Sequence, residues 1–163
     1  MRLTLLALAA SLMLTACTTT PEVATPSHPE AKSYALSDDA NADVDTALER
    51  AIVSGKRVLL VMGANWCHDS RALAGWLETP RFQQLVEAEY ELVFVNVGMP
   101  QTGDGHNLNI ARRFGLEELK GTPNVLVLTP DGSLVNAGTA TTWRNAASRS
   151  EDEIYDELAA LAG

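Results

Sequence analysis

Five residues with chemically useful side chains stand between an apolar run and a helix-like stretch: Trp66-Cys67-His68-Asp69-Ser70. Residues 58–62 before them are typical of a buried strand, and residues 71–77 after them continue as a helix. A cysteine at such a turn has its thiol near backbone N–H groups and the positive end of the helix dipole, which favours the thiolate. Because a thiolate can attack a disulfide and form a mixed disulfide, the sequence predicts thiol–disulfide chemistry at Cys67. The alternative is a small buried hydrophobe.

The N-terminus has the pattern of an export signal. Arg2 supplies a positive charge, and residues 3–14 form an apolar stretch that is too short to cross a bilayer as a stable helix. The stretch ends in Leu14-Thr15-Ala16-Cys17, which resembles the lipobox of bacterial lipoproteins. This resemblance implies that residues 1–16 are a cleaved signal peptide and that Cys17 carries a diacylglycerol. The alternatives are an ordinary secretory signal and a coincidental cysteine.

Charge and composition limit the partners and the domain organisation. The net charge of −9 at pH 7 would be repelled by nucleic acid and by anionic lipid surfaces, so membrane attachment would come from the lipid at Cys17. Thr18 weakly favours the outer membrane, which would place the protein at the periplasmic face of the cell envelope. Residues 17–42 have no sustained apolar periodicity and are predicted to form a flexible tether. Residues 43–163 are long enough for one folded domain.

Helices and strands alternate along this domain. Apolar residues spaced three and four apart predict a first helix from about Asp43 to Gly55, and its buried face comprises Val44, Ala47, Leu48, Ala51 and Ile52. Strands are predicted at residues 57–62, 91–97 and 124–128, with a turn at residues 130–132 that joins the last strand to Leu134-Val135 as a hairpin. Further helices are predicted after Thr79-Pro80, over residues 108–114 and after a capping box at Ser150. This order indicates an α/β layer with parallel central strands and an antiparallel edge.

Two short motifs resemble the thioredoxin superfamily: Ala64-Asn65-Trp66-Cys67 after the first strand and Gly121-Thr122-Pro123 before the third. The resemblance covers residues 43–163 and implies a thioredoxin-like fold, with a central mixed sheet, an antiparallel edge hairpin and helices on both faces. It also implies that Pro123 is cis and faces Cys67, and that Trp66, Thr122 and Pro123 contact an extended substrate peptide. The alternative for Pro123 is a trans proline that opens an edge strand.

The chain departs from the family pattern at three positions. Ser70 stands where the family has its second cysteine, so Cys67 can attack a disulfide but cannot close one within its own motif. Val61 and Phe94 stand where many thioredoxins have a buried aspartate and a lysine, which help to deprotonate that second cysteine. These losses are mutually consistent. The Ser70 hydroxyl either donates a hydrogen bond to the Cys67 thiolate or is a solvated helix residue.

The other polar side chains near the cysteine give no further site. His68 and Asp69 do not form a triad with Cys67, because neighbouring residues on a helix do not face each other. The three histidines, His28, His68 and His106, lack the spacing of metal ligands. The sequence therefore predicts no metal and no cofactor.

Three functions remain open from the sequence. The one we favour is a membrane-tethered monothiol protein of the cell envelope, an isomerase- or reductase-like enzyme in which Cys67 and Ser70 are catalytic. Its substrates would be cysteine-containing envelope proteins or small-molecule disulfides, and an external thiol or a reducing partner would release the product. The second is a non-enzymatic lipoprotein that binds a peptide or protein in the groove beside Pro123. The third is a thiol peroxidase, for which no activating residues are evident near Cys67.

Overall fold

The structure is a computed structural model that describes residues 28–163. The signal peptide, the lipid attachment at Cys17 and the first part of the predicted tether, residues 17–27, lie outside the described residues and stay predictions. Within the described part, the helices are too short or too polar to cross a membrane.

Five helices and five strands make up the described chain. The helices are α1 (Ala40–Ser54), α2 (His68–Leu77), α3 (Pro80–Glu89), α4 (Leu108–Arg113) and α5 (Glu151–Ala160). The strands are β1 (Arg57–Gly63), β2 (Tyr90–Asn96), β3 (Gly98–Met99), β4 (Asp104–Gly105) and β5 (Asn124–Leu128). Two short 3-10 helices cover Pro100–Thr102 and Ala146–Ser148. The segment that follows β2 contains a small two-stranded ribbon, β3–β4.

The main sheet has the order β2-β1-β5. Strand β1 runs parallel to β2, with Val61 paired to Phe94, and antiparallel to β5. The predicted mixed α/β fold is thus confirmed. The edge hairpin is reduced to one bridge, between Leu128 and Leu134. The strand pairing goes no further, because the Val127 N–H donates its hydrogen bond to a side chain and not to a backbone carbonyl. The acceptor is Asn136 Oδ1, at 2.9 Å.

Both faces of this sheet are covered, as the continuous apolar run of β1 predicts. Val58, Leu60 and Met62 lie in one buried cluster with residues of α1 and α4. Leu59 and Val61 lie in a second cluster with residues of α2, α3 and α5. This alternation follows from the two-residue period of a strand. The end of β1 is therefore held firmly from both sides, and the turn that carries Cys67 follows it directly.

The helix ends largely follow the sequence signals. Gly55 ends α1 in the left-handed region at φ 74°, and Ser150 starts α5 with a complete capping box. Helix α1 begins at Ala40, capped by the side chain of Asp39, which is three residues earlier than predicted. The prediction that Ile52 is buried is wrong, because its side chain is 68% exposed.

Residues 28–39, the N-terminal segment, lie on the domain although the sequence placed them in the tether. Tyr34 is 1% exposed and belongs to the second buried cluster. The Ala31 N–H donates to the Arg71 carbonyl oxygen at 3.0 Å, which ties the segment to α2. The segment is held by one buried aromatic residue and a few backbone hydrogen bonds, and these leave no periodic pattern of apolar residues in the sequence. The tether was predicted from the lack of such a pattern, so this packing could not be detected.

Candidate active site around Cys67

Cys67 lies at the turn between β1 and α2, as predicted. It is the N-cap residue of α2, in an extended conformation with φ −80° and ψ 126°. The turn is closed by a 3.1 Å hydrogen bond from the Cys67 N–H to the Ala64 carbonyl oxygen. The Cys67 carbonyl oxygen accepts from the Arg71 N–H, also at 3.1 Å, as the first bond of the helix. Cys67 is 8% exposed, so its sulfur lies just below the surface.

The thiol points to the segment before β5. Cys67 Sγ donates to the Thr122 carbonyl oxygen at 3.3 Å. The Thr122–Pro123 peptide bond is cis, which confirms the prediction of a cis proline and excludes the trans alternative. Thr122 is buried, and its Oγ1 has no hydrogen-bond partner among residues 28–163. The structure thus brings together the two motifs on which the family resemblance rested.

Ser70 has neither of the two roles considered from the sequence, a hydrogen-bond donor to Cys67 or a solvated helix residue. It is fully buried, so it is not a solvated helix residue. Its Oγ accepts from the Ala64 N–H at 3.4 Å, and within the described chain no hydrogen bond joins it to Cys67. The reason is geometric: Oγ turns toward the end of β1, where Gly63 leaves room for it. In this arrangement the hydroxyl supports the turn that carries the cysteine.

Two exposed apolar side chains come from the residue before Cys67 and from β3. Trp66 is 49% exposed, and its indole N–H donates to the Gly98 carbonyl oxygen at 2.9 Å. Met99, the next residue of β3, is also exposed. The indole is therefore fixed against the β3–β4 ribbon while one face remains open. This position next to Cys67 agrees with the predicted substrate contact of Trp66, which stays a prediction.

Asp69 is part of the supporting structure. Its Oδ1 accepts from the Ala147 N–H at 2.9 Å, which attaches the second 3-10 helix to α2. The carboxylate is thereby engaged by the backbone of this 3-10 helix. This placement agrees with the sequence argument against a Cys67-His68-Asp69 triad.

Tyr34 was missed by the sequence analysis and is the main anchor under the site. Its hydroxyl donates to the Ser70 carbonyl oxygen at 3.2 Å, and its ring packs edge-on against Phe94. Burial raises the pKa of Tyr34 far above its usual value, so the ring stays neutral. The Asn65 and Asn96 side-chain amides both donate to the Tyr34 carbonyl oxygen at 3.0 Å. A single tyrosine in a proline-containing stretch gave no signal of this role.

A polar cluster that the sequence analysis also missed lies on the other side of the turn. The possible ligand atoms of His28, Glu30 and His68 all lie within 4.8 Å of one another. The Arg71 guanidinium donates to Glu30, and this hydrogen bond holds the pKa of the carboxyl below its usual range. His28 and His68 are 40 residues apart, so no local spacing could reveal the pair. His106 lies elsewhere, against the backbone of Gly98.

Comparisons with known proteins agree with this geometry. A thioredoxin-like family model matches residues 39–130, which include both motifs. The chain is similar to the crystal structure of a disulphide isomerase from Xylella fastidiosa Temecula1, with 32% identity, 80% of this chain and 98% of that chain covered, and a TM-score of 0.70. It is also similar to a thioredoxin from Thermus thermophilus, with 25% identity, 70% and 79% covered, and a TM-score of 0.50. A search of curated proteins finds no significant match.

Proposed function

The chain belongs to the thioredoxin-like family, and on this premise we propose that it exchanges disulfides as a monothiol protein through Cys67. The fold and its isomerase and thioredoxin neighbours support a thiol–disulfide oxidoreductase-like function. The observation that carries the finer proposal is the position of Cys67 Sγ, 3.3 Å from the Thr122 carbonyl oxygen, with Ser70 in place of a second cysteine.

The reaction needs one nucleophile and an outside thiol. The Cys67 thiolate attacks one sulfur of a substrate disulfide, forms a mixed disulfide and releases the other sulfur as a thiolate, which takes up a proton. A second thiolate then attacks the substrate sulfur of this mixed disulfide, forms a new disulfide and regenerates the Cys67 thiolate. Where the second thiolate belongs to the same substrate, the result is isomerisation, with no net oxidation. Where it belongs to a small thiol or a reducing protein, repeated exchange reduces the substrate.

The surroundings of Cys67 fit an extended peptide. The Thr122 carbonyl oxygen, which accepts from the thiol, is available to a substrate N–H once the sulfur has reacted. Trp66 and Met99 offer exposed apolar contacts, and aromatic side chains commonly supply such binding energy. By resemblance to the family, Thr122 and Pro123 hold the substrate backbone. Ser70 acts as a positioning residue, because its hydroxyl bonds the backbone at Ala64.

The proposal includes a membrane tether in the cell envelope. Its support is the leader and lipobox pattern that ends at Cys17, outside the described residues. In this account residues 18–27 link the lipid to the N-terminal segment, so the folded domain stays close to the membrane. The unmodified chain should incorporate a labelled fatty acid in cells, and Cys17→Ser should abolish this labelling. Labelling that persists after the change would contradict lipid attachment at Cys17.

The enzymatic proposal is tested with a substrate whose disulfides have been scrambled. The full chain should restore the native disulfides of such a protein in a glutathione buffer, and Cys67→Ser should reduce this rate to that of the buffer alone. Cys17→Ser is the matched control, because it removes the other cysteine of the sequence without changing the described residues, and it should keep the rate.

The second candidate is a peptide-binding protein without catalysis. One observation favours it: Cys67 is 8% exposed, which limits access to a bulky disulfide. The same assay distinguishes the two. Unchanged activity in Cys67→Ser, or no activity in the unmodified chain, would contradict exchange. Peptide binding that persists in Cys67→Ser without any activity of the unmodified chain would support the binder.

A further inference from the structure

The polar cluster next to Cys67 joins two separate elements. His28 and Glu30 come from the N-terminal segment, and His68 is the first residue of α2. His28 is buried, whereas the His68 side chain is 57% exposed and reaches solvent. The cluster therefore has one fixed imidazole and one accessible imidazole.

The hydrogen bonds decide which ring nitrogens carry protons. His28 Nδ1 lies 3.2 Å from the Pro29 carbonyl oxygen, and His68 Nδ1 lies 2.9 Å from Glu30 Oε1. A carbonyl and an ionised carboxylate can only accept hydrogen bonds, so each Nδ1 must donate. Each neutral imidazole then has a bare lone pair on Nε2.

These two lone pairs face each other. His28 Nε2 and His68 Nε2 are 3.2 Å apart. Two acceptors at this distance repel unless a cation lies between them. One shared proton or a metal ion that both nitrogens bind would remove this repulsion.

We infer that His28 Nε2 and His68 Nε2 bind one divalent transition-metal ion of the zinc class. Two imidazole nitrogens bound to zinc at a tetrahedral angle lie about 3.3–3.4 Å apart, whereas a linear two-coordinate site would separate them by about 4 Å. The observed 3.2 Å matches the bent arrangement. Imidazole nitrogens are ligands that zinc and similar divalent ions favour.

The outer contacts of both rings suit a metal ion. Metal-binding histidines characteristically donate their second N–H to a carboxylate or a backbone carbonyl, and both arrangements occur here. Arg71 Nε holds the other oxygen of Glu30 at 3.0 Å, so the carboxylate is fixed in its orienting position. Water or a substrate group would complete the coordination on the exposed side of His68.

Such an ion would connect the N-terminal segment to the helix that starts after Cys67. Because the segment continues toward Cys17, the ion would fasten the membrane-proximal end of the domain beside the thiol. This site does not depend on the exchange reaction, since neither imidazole takes part in the proposed attack on a disulfide.

Zinc binding to the purified full chain tests the inference. Competition with a chromophoric chelator should show one zinc ion per chain at neutral pH. His28→Ala and His68→Gln should each weaken binding at least 100-fold, and Glu30→Gln should weaken it about 10- to 100-fold because it orients His68. His68→Gln lies at an exposed position, so this variant keeps the test valid if His28→Ala does not fold. His106→Ala is the matched control and should bind zinc like the unmodified chain.

The test also separates this site from the thiol. Zinc binding should persist in Cys67→Ser, in which disulfide exchange is lost. Binding that disappears in Cys67→Ser but survives His68→Gln would overturn the inference in favour of a thiolate site. Absence of stoichiometric zinc binding by the folded, unmodified chain would also overturn it and leave the shared proton as the explanation.

Discussion

The two sides of Cys67 differ in origin and in chemistry. The Thr122–Pro123 side lies within residues 39–130, which match the thioredoxin-like family model, and it offers a backbone carbonyl to the sulfur. The opposite side is built by residues 28–38, which precede that range and contribute Tyr34 and two members of the polar cluster. Residues 39–130 thus supply the substrate-facing side, and residues 28–38 before them supply the buried Tyr34 and the carboxylate of Glu30. Variants of the two sides should therefore change different properties.

The largest effect on stability should come from Tyr34→Ala. This change removes a buried ring from the second cluster, and truncation of a large buried aromatic costs about 3–5 kcal/mol of unfolding free energy. Urea unfolding measures the loss. Tyr34→Phe is the matched control, because it keeps the ring and loses only the hydroxyl bond to Ser70, worth about 0.5–1.5 kcal/mol. A loss of unfolding free energy below about 1 kcal/mol in Tyr34→Ala would show that the N-terminal segment contributes little to the stability of the domain.

Gly63→Ala should have an intermediate effect and tests how closely the Tyr34 ring packs against the end of β1. A Cβ at Gly63 would lie 2.6 Å from the Tyr34 ring and 2.8 Å from Ser70 Oγ. Such overpacking costs about 1–3 kcal/mol. Gly138→Ala is the control, because a Cβ there meets no atom within 4 Å.

The source of this penalty can be assigned by a double-mutant cycle. In a Tyr34→Ala background the ring is gone, so Gly63→Ala should cost clearly less than it does alone. An unchanged cost in that background would mean that the ring is not what limits the space at Gly63.

The smallest effect on stability is expected at the capping box of α5, which lies away from both sides of Cys67. This site shows how much one carboxyl group makes the stability depend on pH. Hydrogen bonds from the Ser150 backbone and side chain hold the pKa of Glu153 below its usual range. A carboxyl with a lowered folded pKa contributes stability above its unfolded pKa and loses it as pH falls through the folded pKa. Glu153→Gln should therefore be slightly less stable near neutral pH, and its difference from the unmodified chain should vanish in acid.

Urea midpoints over a pH series measure this difference. Glu118→Gln is the control, because Glu118 is an exposed glutamate outside the capping box, and its curve should follow that of the unmodified chain. A constant offset between Glu153→Gln and the unmodified chain at every pH would show that the Glu153 charge does not contribute.

The sequence predicted the helices, strands and turns that have local signals. It missed the contacts between residues that are far apart in the chain. The apolar run of β1, the cysteine turn and the capping box of α5 are local signals, and all three appear in the structure. The N-terminal segment could not be predicted, because its order rests on Tyr34, one residue without periodicity. The pairing of His28 with His68 was equally hidden, since it depends on how that segment crosses α2.

Ser70 shows a different limit of sequence reasoning. Its position on the first turn of α2 was correct, but its hydroxyl turns to the Ala64 N–H. Which of two rotamers a helix residue adopts depends on the space around it, here the room left by Gly63. A motif gives the residue and not the direction of its side chain.

The most direct test of the central claim is the fate of a mixed disulfide on Cys67. In a Cys17→Ser background, the full chain is mixed with a peptide that carries an activated disulfide, and the intact mass is followed with time. The account predicts one peptide per chain, attached at Cys67, that persists until an external thiol is added and then leaves within the assay. No attachment at Cys67, or release without an added thiol, would contradict the proposed monothiol exchange.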